Sequence, residues 1–239
     1  RDRSVSRGLG DVYKRQGRNA GWITAASALY ADLMPCEHLV YLPEVAFDKE
    51  KFLAAVKEKW AKGRGLLVTI SEGIHYADGT FVSEAKTSAT DGFGHAQLGG
   101  LASLLANVVK QKTGAKVRGI ELSLLQRCGA HLASETDIEE AVMSGKAAVE
   151  NAVAGITDKM VGFERTYENG QYVCKTKLLP LTDVANTEKK VPIEWINAAH
   201  NGVEKPFIDY VLPLIQGEPK LPKEDSLPRF ARLKKVLVK

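Results

Sequence analysis

An α/β fold, with parallel-sheet layers flanked by helices, follows from three features of the sequence. Short apolar runs closed by Gly or Pro recur at His38–Glu44 (HLVYLPE), Leu66–Ile74 (LLVTISEGI) and Lys116–Leu125 (KVRGIELSLL). Stretches of helical apolar spacing lie between them, and an Asn169-Gly170 pair separates two alternating runs further on. Strands separated by helices pair in parallel after a crossover. Asn-Gly between alternating runs instead closes an antiparallel hairpin.

The run Leu66–Ile74 is the reference element. Five apolar or β-branched residues between Gly63-Arg64-Gly65 and Ser71-Glu72-Gly73 predict a short strand covered on both faces. Open parallel sheets bind ligands beyond the carboxyl ends of their strands, and Glu72 stands at that end. A carboxylate there can accept hydrogen bonds from the hydroxyls of a neutral polyol. The alternative is that Glu72 caps the next segment or faces solvent.

With 239 residues, 44% hydrophobic and 26% charged, the chain can form one substantial core or two lobes. A net charge of +4 with no basic stripe interleaved with aromatics gives no sign of a nucleic-acid partner. Three widely spaced cysteines, Cys36, Cys128 and Cys174, argue against a disulfide scaffold or zinc site and fit reduced, cytoplasmic thiols. No apolar run is long enough to span a membrane, and no secretory signal opens the sequence.

Residues 1–16 (RDRSVSRGLGDVYKRQ) have no apolar period and resemble a translated sequencing adaptor, so they are expected to be foreign to the fold. They carry five Lys or Arg and two Asp, and without them the net charge falls from +4 to +1. The natural protein is then expected to begin upstream of Gly17. The expected organisation is a foreign tail over 1–16, a ligand-binding part over 17–158, and a hairpin, helix and basic tail over 159–239 packing on the same domain.

Along the chain, Gly17-Arg18-Asn19-Ala20-Gly21-Trp22 reads as a glycine-rich turn opening a helix, where an Arg can offer a fork to phosphate. Asp48 is placed to cap a helix through Phe52, Val56 and Trp60. His75 to Asp91 is a polar excursion with a tight turn at Asp78-Gly79. Leu98, Leu101, Leu104, Leu105, Val108 and Val109 form the stripe of a helix that ends at Gly114, and His95 at its start reads as a helix-start hydrogen bonder. Arg127, after the third strand, occupies the same kind of strand end as Glu72. An acid and a guanidinium at two strand ends suit a phosphorylated sugar, although Arg127 could equally form a structural ion pair. Cys128 reads as a plain buried thiol.

Thr136-Asp137-Ile138-Glu139 reads as a capping box whose helix carries Ile138, Val142, Val149 and Val153 into the core before Gly155. The hairpin around Asn169-Gly170 follows, then a short helix near Phe207–Ile215 and the basic tail RFARLKKVLVK, read as a solvated face.

Four of these stretches, GRNAGW, the strand ending in ISEG, DGFGHAQLGG and the ELSLLQR strand, resemble the phosphofructokinase family in order and spacing over Gly17 to about Gly155. The long excursion after ISEG and DGFGHAQL are similar to the branch rich in pyrophosphate-dependent enzymes. The resemblance implies a truncated phosphofructokinase-like fold and phosphoryl transfer to the 1-hydroxyl of fructose 6-phosphate in glycolysis. The family's Met-Gly-Arg turn for the sugar phosphate falls on Gly17 and Arg18, with Gln16 where Met is expected. Its sugar-binding Glu falls on Glu72. Its aromatic-or-His, any residue, Gln-or-Ser, Arg pattern falls on Leu124 to Arg127; Arg127 fits, while Leu124 lacks the polar contact usual there. Arg118 stands where several members offer a phosphate-binding Arg across a subunit interface, which implies a homo-oligomer, a dimer or tetramer.

The family's glycine-rich donor loop and its Thr-Ile-Asp-Asn-Asp type segment do not occur in this sequence. No catalytic residue or metal ligand is therefore assigned here, and Mg²⁺ is expected to be bound mainly by an upstream part. The donor implied is pyrophosphate, with ATP as the alternative. A regulatory sugar-phosphate-binding subunit that carries no catalytic Asp, or a generic α/β domain, are the competing readings.

Overall fold

Strand β1 (Glu37–Tyr41) and strand β2 (Leu66–Ile70) pair in parallel, with Glu37 opposite Leu66 and Tyr41 opposite Ile70. The computed structural model describes residues 19–31, 33, 35–83, 100–122, 129–185, 187–229, 234 and 236. Among these, the chain falls into two compact units, one formed by residues up to 121 with 186–211 and the other by 122–185 with those from 212 on.

In the first unit the glycine turn leads into helix α1 (Trp22–Ala26), which tightens to a 3₁₀ turn over Ser27–Tyr30. After β1, helix α2 (Lys49–Trp60) forms the crossover to β2. As expected, Asp48 caps it, the carboxylate accepting from the backbone N–H groups of Glu50 and Lys51 at 2.9 and 3.0 Å. Helix α3 (Leu101–Thr113) follows and ends at Gly114.

Alternation along β1 sends its side chains into two separate cores. Leu39 and Tyr41 join Phe47, Phe52, Val56, Ile74, Leu101 and Leu105. Val40 and Leu42 join Ala25, Val191, Ile196, Phe207 and Val211. The edge of β1 away from β2 is covered, since the Val40 N–H donates to the Asn201 carbonyl at 2.9 Å. The strand buried on both faces is thus β1; β2 is only partly covered, with Leu67 37% exposed.

The strand expected over Lys116–Leu125 is not formed in residues 116–122, which carry no ladder. Residues 123–125 lie outside the described residues. The segment runs instead against the first turn of α3. The Glu121 carboxylate accepts from the Ala102 N–H at 2.8 Å, and at Gly119 a Cβ would lie 2.7 Å from the Ala102 backbone.

In the second unit helix α4 (Glu135–Val153) packs on an antiparallel hairpin of β3 (Lys159–Glu168) and β4 (Gln171–Pro180). Asn169 and Gly170, at φ 51 and 79°, close it as the sequence predicts. The helix, however, is capped two residues earlier than at Thr136. Ser134 is its cap: the hydroxyl accepts from the Asp137 N–H at 3.1 Å and donates to the Leu214 carbonyl at 2.7 Å. The stripe expected to be core is uncovered, with Val142, Val149 and Val153 exposed at 67, 64 and 84%. The hairpin takes the other face, where Ser144 is buried and the Tyr172 hydroxyl donates to Glu140 Oε1 at 2.6 Å. The unit containing α4 therefore unites residues on both sides of the break expected after 158. The tail from 230 lies almost wholly outside the described residues.

Because β1 serves two cores at once, Leu39→Ala is expected to cost ~2–5 kcal/mol of stability, measured by urea denaturation. A loss below ~1 kcal/mol would mean that the strand is not the shared wall between them.

Candidate sugar-phosphate site at the carboxyl edge of the sheet

Parallel pairing brings the carboxyl ends of β1 and β2 to one edge. The ladder continues past the strands, with the Ser71 N–H donating to the Tyr41 carbonyl at 3.0 Å, and the loops beyond are joined by the Phe47 N–H donating to the His75 carbonyl at 2.8 Å. Glu72 stands in this edge as an exposed residue between buried Ser71 and Gly73. An exposed carboxylate there can accept hydrogen bonds from sugar hydroxyls at modest desolvation cost.

The excursion after Glu72 folds back at once. Val82 N–H donates to the Ile74 carbonyl at 3.1 Å, Tyr76 N–H to the Thr80 carbonyl at 2.9 Å, and Thr80 N–H to Asp78 Oδ1 at 2.9 Å. The Thr80 amide holds the Asp78 carboxyl below its usual range. The tight turn expected at Asp78-Gly79 is present, and it places a short hairpin-like flap next to Glu72.

The glycine turn reaches the same edge. Gly21 N–H donates to Glu44 Oε1 at 2.8 Å, and Glu44 follows β1 by three residues. The segment 188–191 lies alongside. Asn19 Nδ2 donates to Glu188 Oε1 at 2.8 Å, Trp22 Nε1 to the Lys189 carbonyl at 2.7 Å, and Val191 N–H to Glu44 Oε1 at 3.0 Å. Trp22 anchors the turn through ring contacts with Phe207, Trp195 and Tyr210 at centroid distances of 5.9, 6.2 and 5.2 Å.

Of the residues singled out in the sequence, the structure thus brings the end of the glycine turn and Glu72 to one edge. Gly17, Arg18, Leu124 and Arg127 lie outside the described residues, as do His95 and Cys128. Arg118 is exposed on the segment that crosses the start of α3. Sequence reasoning overlooked Glu44, taking Pro43-Glu44 only as the end of a strand. The signal was available, because Glu44 occupies the same kind of strand end as Glu72 and Arg127.

The model of the family described as phosphofructokinase matches residues 7–152. This chain belongs to the phosphofructokinase family. The match starts inside the segment 1–16 that looks foreign by composition. The chain is 41% identical over 226 residues to the pyrophosphate–fructose 6-phosphate 1-phosphotransferase of Halomonas elongata, covering 94% of this chain and 53% of that protein. It is likewise 41% identical over 228 residues to the enzyme of the same name from Methylococcus capsulatus, covering 95% and 54%. In three dimensions it is similar to the crystal structure of a pyrophosphate-dependent phosphofructokinase from Marinobacter aquaeolei, with a TM-score of 0.76 at 37% identity, over 93% of this chain and 52% of that one. The chain spans about half the length of these relatives. The phosphofructokinase-like α/β fold expected from the sequence is therefore the fold observed.

One titratable group in this sheet is half-buried beside neutral hydroxyls. His38 in β1 places Nε2 2.9 Å from Thr69 Oγ1 on β2 and 3.5 Å from Ser27 Oγ. Burial lowers its pKa from the ordinary value of 6.5. The unfolded chain then binds a proton more readily than the folded one. Stability from this site is complete above the ordinary His pKa and is lost as pH falls through and below it, levelling at the lowered folded value. The stability difference between wild type and His38→Gln, measured by urea denaturation from pH 8 to pH 5, is expected to shift against the wild type below about pH 6.5. A difference independent of pH would contradict the lowering of the His38 pKa by burial.

Proposed function

We propose that the carboxyl edge of the β1–β2 pair is the acceptor-sugar site of a phosphofructokinase, and that the protein takes part in phosphoryl transfer from pyrophosphate to the 1-hydroxyl of fructose 6-phosphate. The observation that carries this reading is that Gly21, at the end of the glycine turn, is bonded past the carboxyl end of β1 while Glu72 follows the carboxyl end of its parallel partner β2, in a member of this family. The names of the relatives at 41% identity favour pyrophosphate over ATP as donor. In this reading Gly17 and Arg18 hold the sugar phosphate, with Arg127 as a second guanidinium. Glu72 accepts from the sugar hydroxyls, Leu124 occupies the pattern position without its usual polar contact, and Arg118 serves a neighbouring subunit of a homo-oligomer.

The chemistry divides accordingly. A phosphate held by guanidinium groups fixes one end of the ketose, and a carboxylate on its hydroxyls fixes the rotation about that anchor. Together they present the 1-hydroxyl to a donor. In this reading the base that removes its proton belongs to the family's Thr-Ile-Asp-Asn-Asp type segment and is assigned to no residue of this chain. Among the described residues no group of three or more His, Cys, Asp or Glu is placed to hold a metal ion, so no step is assigned to Mg²⁺ here. Also among these residues, no helix is long and apolar enough to cross a membrane.

Calorimetric titration of the purified chain with fructose 6-phosphate is expected to give binding that Arg127→Ala weakens by ~1.5–3 kcal/mol, as loss of a charge-assisted bidentate contact does. Equal affinity in the variant would remove Arg127 from the site. A coupled assay of the same chain with pyrophosphate and Mg²⁺ is expected to yield no fructose 1,6-bisphosphate. Product formation would overturn the assignment of a recognition role alone.

A further inference from the structure

We infer that Glu44 is a positioning residue for the sugar-phosphate turn, an inference that rests on the reading that Arg18 holds the phosphate. One carboxylate oxygen of Glu44 joins two chain segments far apart in sequence. Oε1 accepts from Gly21 N–H at 2.8 Å and from Val191 N–H at 3.0 Å. Both donors are backbone groups, so the contact fixes main chain, and Gly21 is three residues from Arg18. The carboxylate itself stands three residues past β1, the strand shared by the two cores.

The other oxygen makes the fit one-sided. Oε2 is buried and has no hydrogen-bond partner among the described residues. It faces the α-carbon of Gly21, where a Cβ would stand 2.7 Å from Oε2 and 2.8 Å from Leu42 Cδ2. The turn is thereby drawn onto the carboxylate by its N–H and kept at one distance by the bare glycine. A side chain at residue 21 would push the turn off Glu44, and removing the carboxylate would let it drift. Either change moves the backbone that leads to Arg18, and a guanidinium fork displaced by an ångström loses bidentate geometry on phosphate.

Substitution by Gln separates position from stability. Its carbonyl oxygen can take the place of Oε1 and accept both N–H groups, while its amide nitrogen falls in the buried Oε2 position without an acceptor. Glu44→Gln is thus expected to unfold at a lower temperature yet to bind fructose 6-phosphate within about threefold of wild type. Glu44→Ala and Gly21→Ala are expected to weaken binding by about tenfold or more at a temperature where each is folded, read by calorimetric titration of the whole chain.

Three results decide the matter, and a fourth holds if the alanine variants do not fold. Alanine variants that melt early but bind as wild type would overturn the positioning role and leave the sugar-phosphate site standing. A Gln variant that binds as poorly as the Ala variant would overturn it too, because hydrogen-bond geometry would not then be what matters. Absence of fructose 6-phosphate binding by the wild type overturns the site reading, and this one with it. Hydrogen exchange on the wild type supplies the fourth: Gly21 and Val191 amides are expected to be protected together, and rapid exchange of either overturns the clamp.

Discussion

The first unit depends on a single strand that has no solvent-facing side. Leu39 and Tyr41 belong to one core, Val40 and Leu42 to the other, so every side chain of β1 past His38 is buried among different partners from its neighbours. Such a strand cannot slip by one residue without exchanging the contents of both cores. Its backbone is held as firmly, by β2 on one edge and by the Asn201 carbonyl on the other. Tyr41 at its end has its phenol pushed up to about 12 by burial, in keeping with a wall closed to water. Whatever leaves the carboxyl end of β1 therefore starts from a fixed point, and the glycine turn is referred to that point through Glu44.

Around that fixed point the elements differ in how legible they were. The strands at 37–41 and 66–70, the Asp48 cap, the Gly114 stop and the Asn169-Gly170 hairpin were all readable, because each is decided by local chemistry: apolar runs, a side-chain acceptor before three free N–H groups, and residues that tolerate positive φ. Glu72 was readable for a related reason, since the end of a parallel strand is a position defined by the strand.

The failures share the opposite cause. Residues 116–122 have the apolar content of a strand, yet the Glu121 carboxylate and the close approach at Gly119 commit the segment to the start of α3. Ser134 rather than Thr136 caps α4 because the Leu214 carbonyl, eighty residues away, is there to receive its hydroxyl proton. The valine stripe of α4 has helical spacing whether or not anything covers it, and periodicity reports a face without naming its partner. Glu44 was overlooked likewise: its partners are two amides, one of them at Val191, which no spacing in sequence connects to residue 44. Tertiary hydrogen bonds of this kind override local preference and leave no local mark.

The two glutamates at the sheet edge illustrate how burial assigns different work to one functional group. A carboxylate that is exposed can remake its hydrogen bonds with each ligand. Glu72 is in that position. A carboxylate with one oxygen shared between two amides and the other sealed from solvent has nothing to exchange, and displacing either amide would leave charge buried without compensation. Glu44 is therefore suited to holding backbone in place and Glu72 to meeting a changing guest. The depth of each side chain below the surface, rather than its chemistry, separates the two.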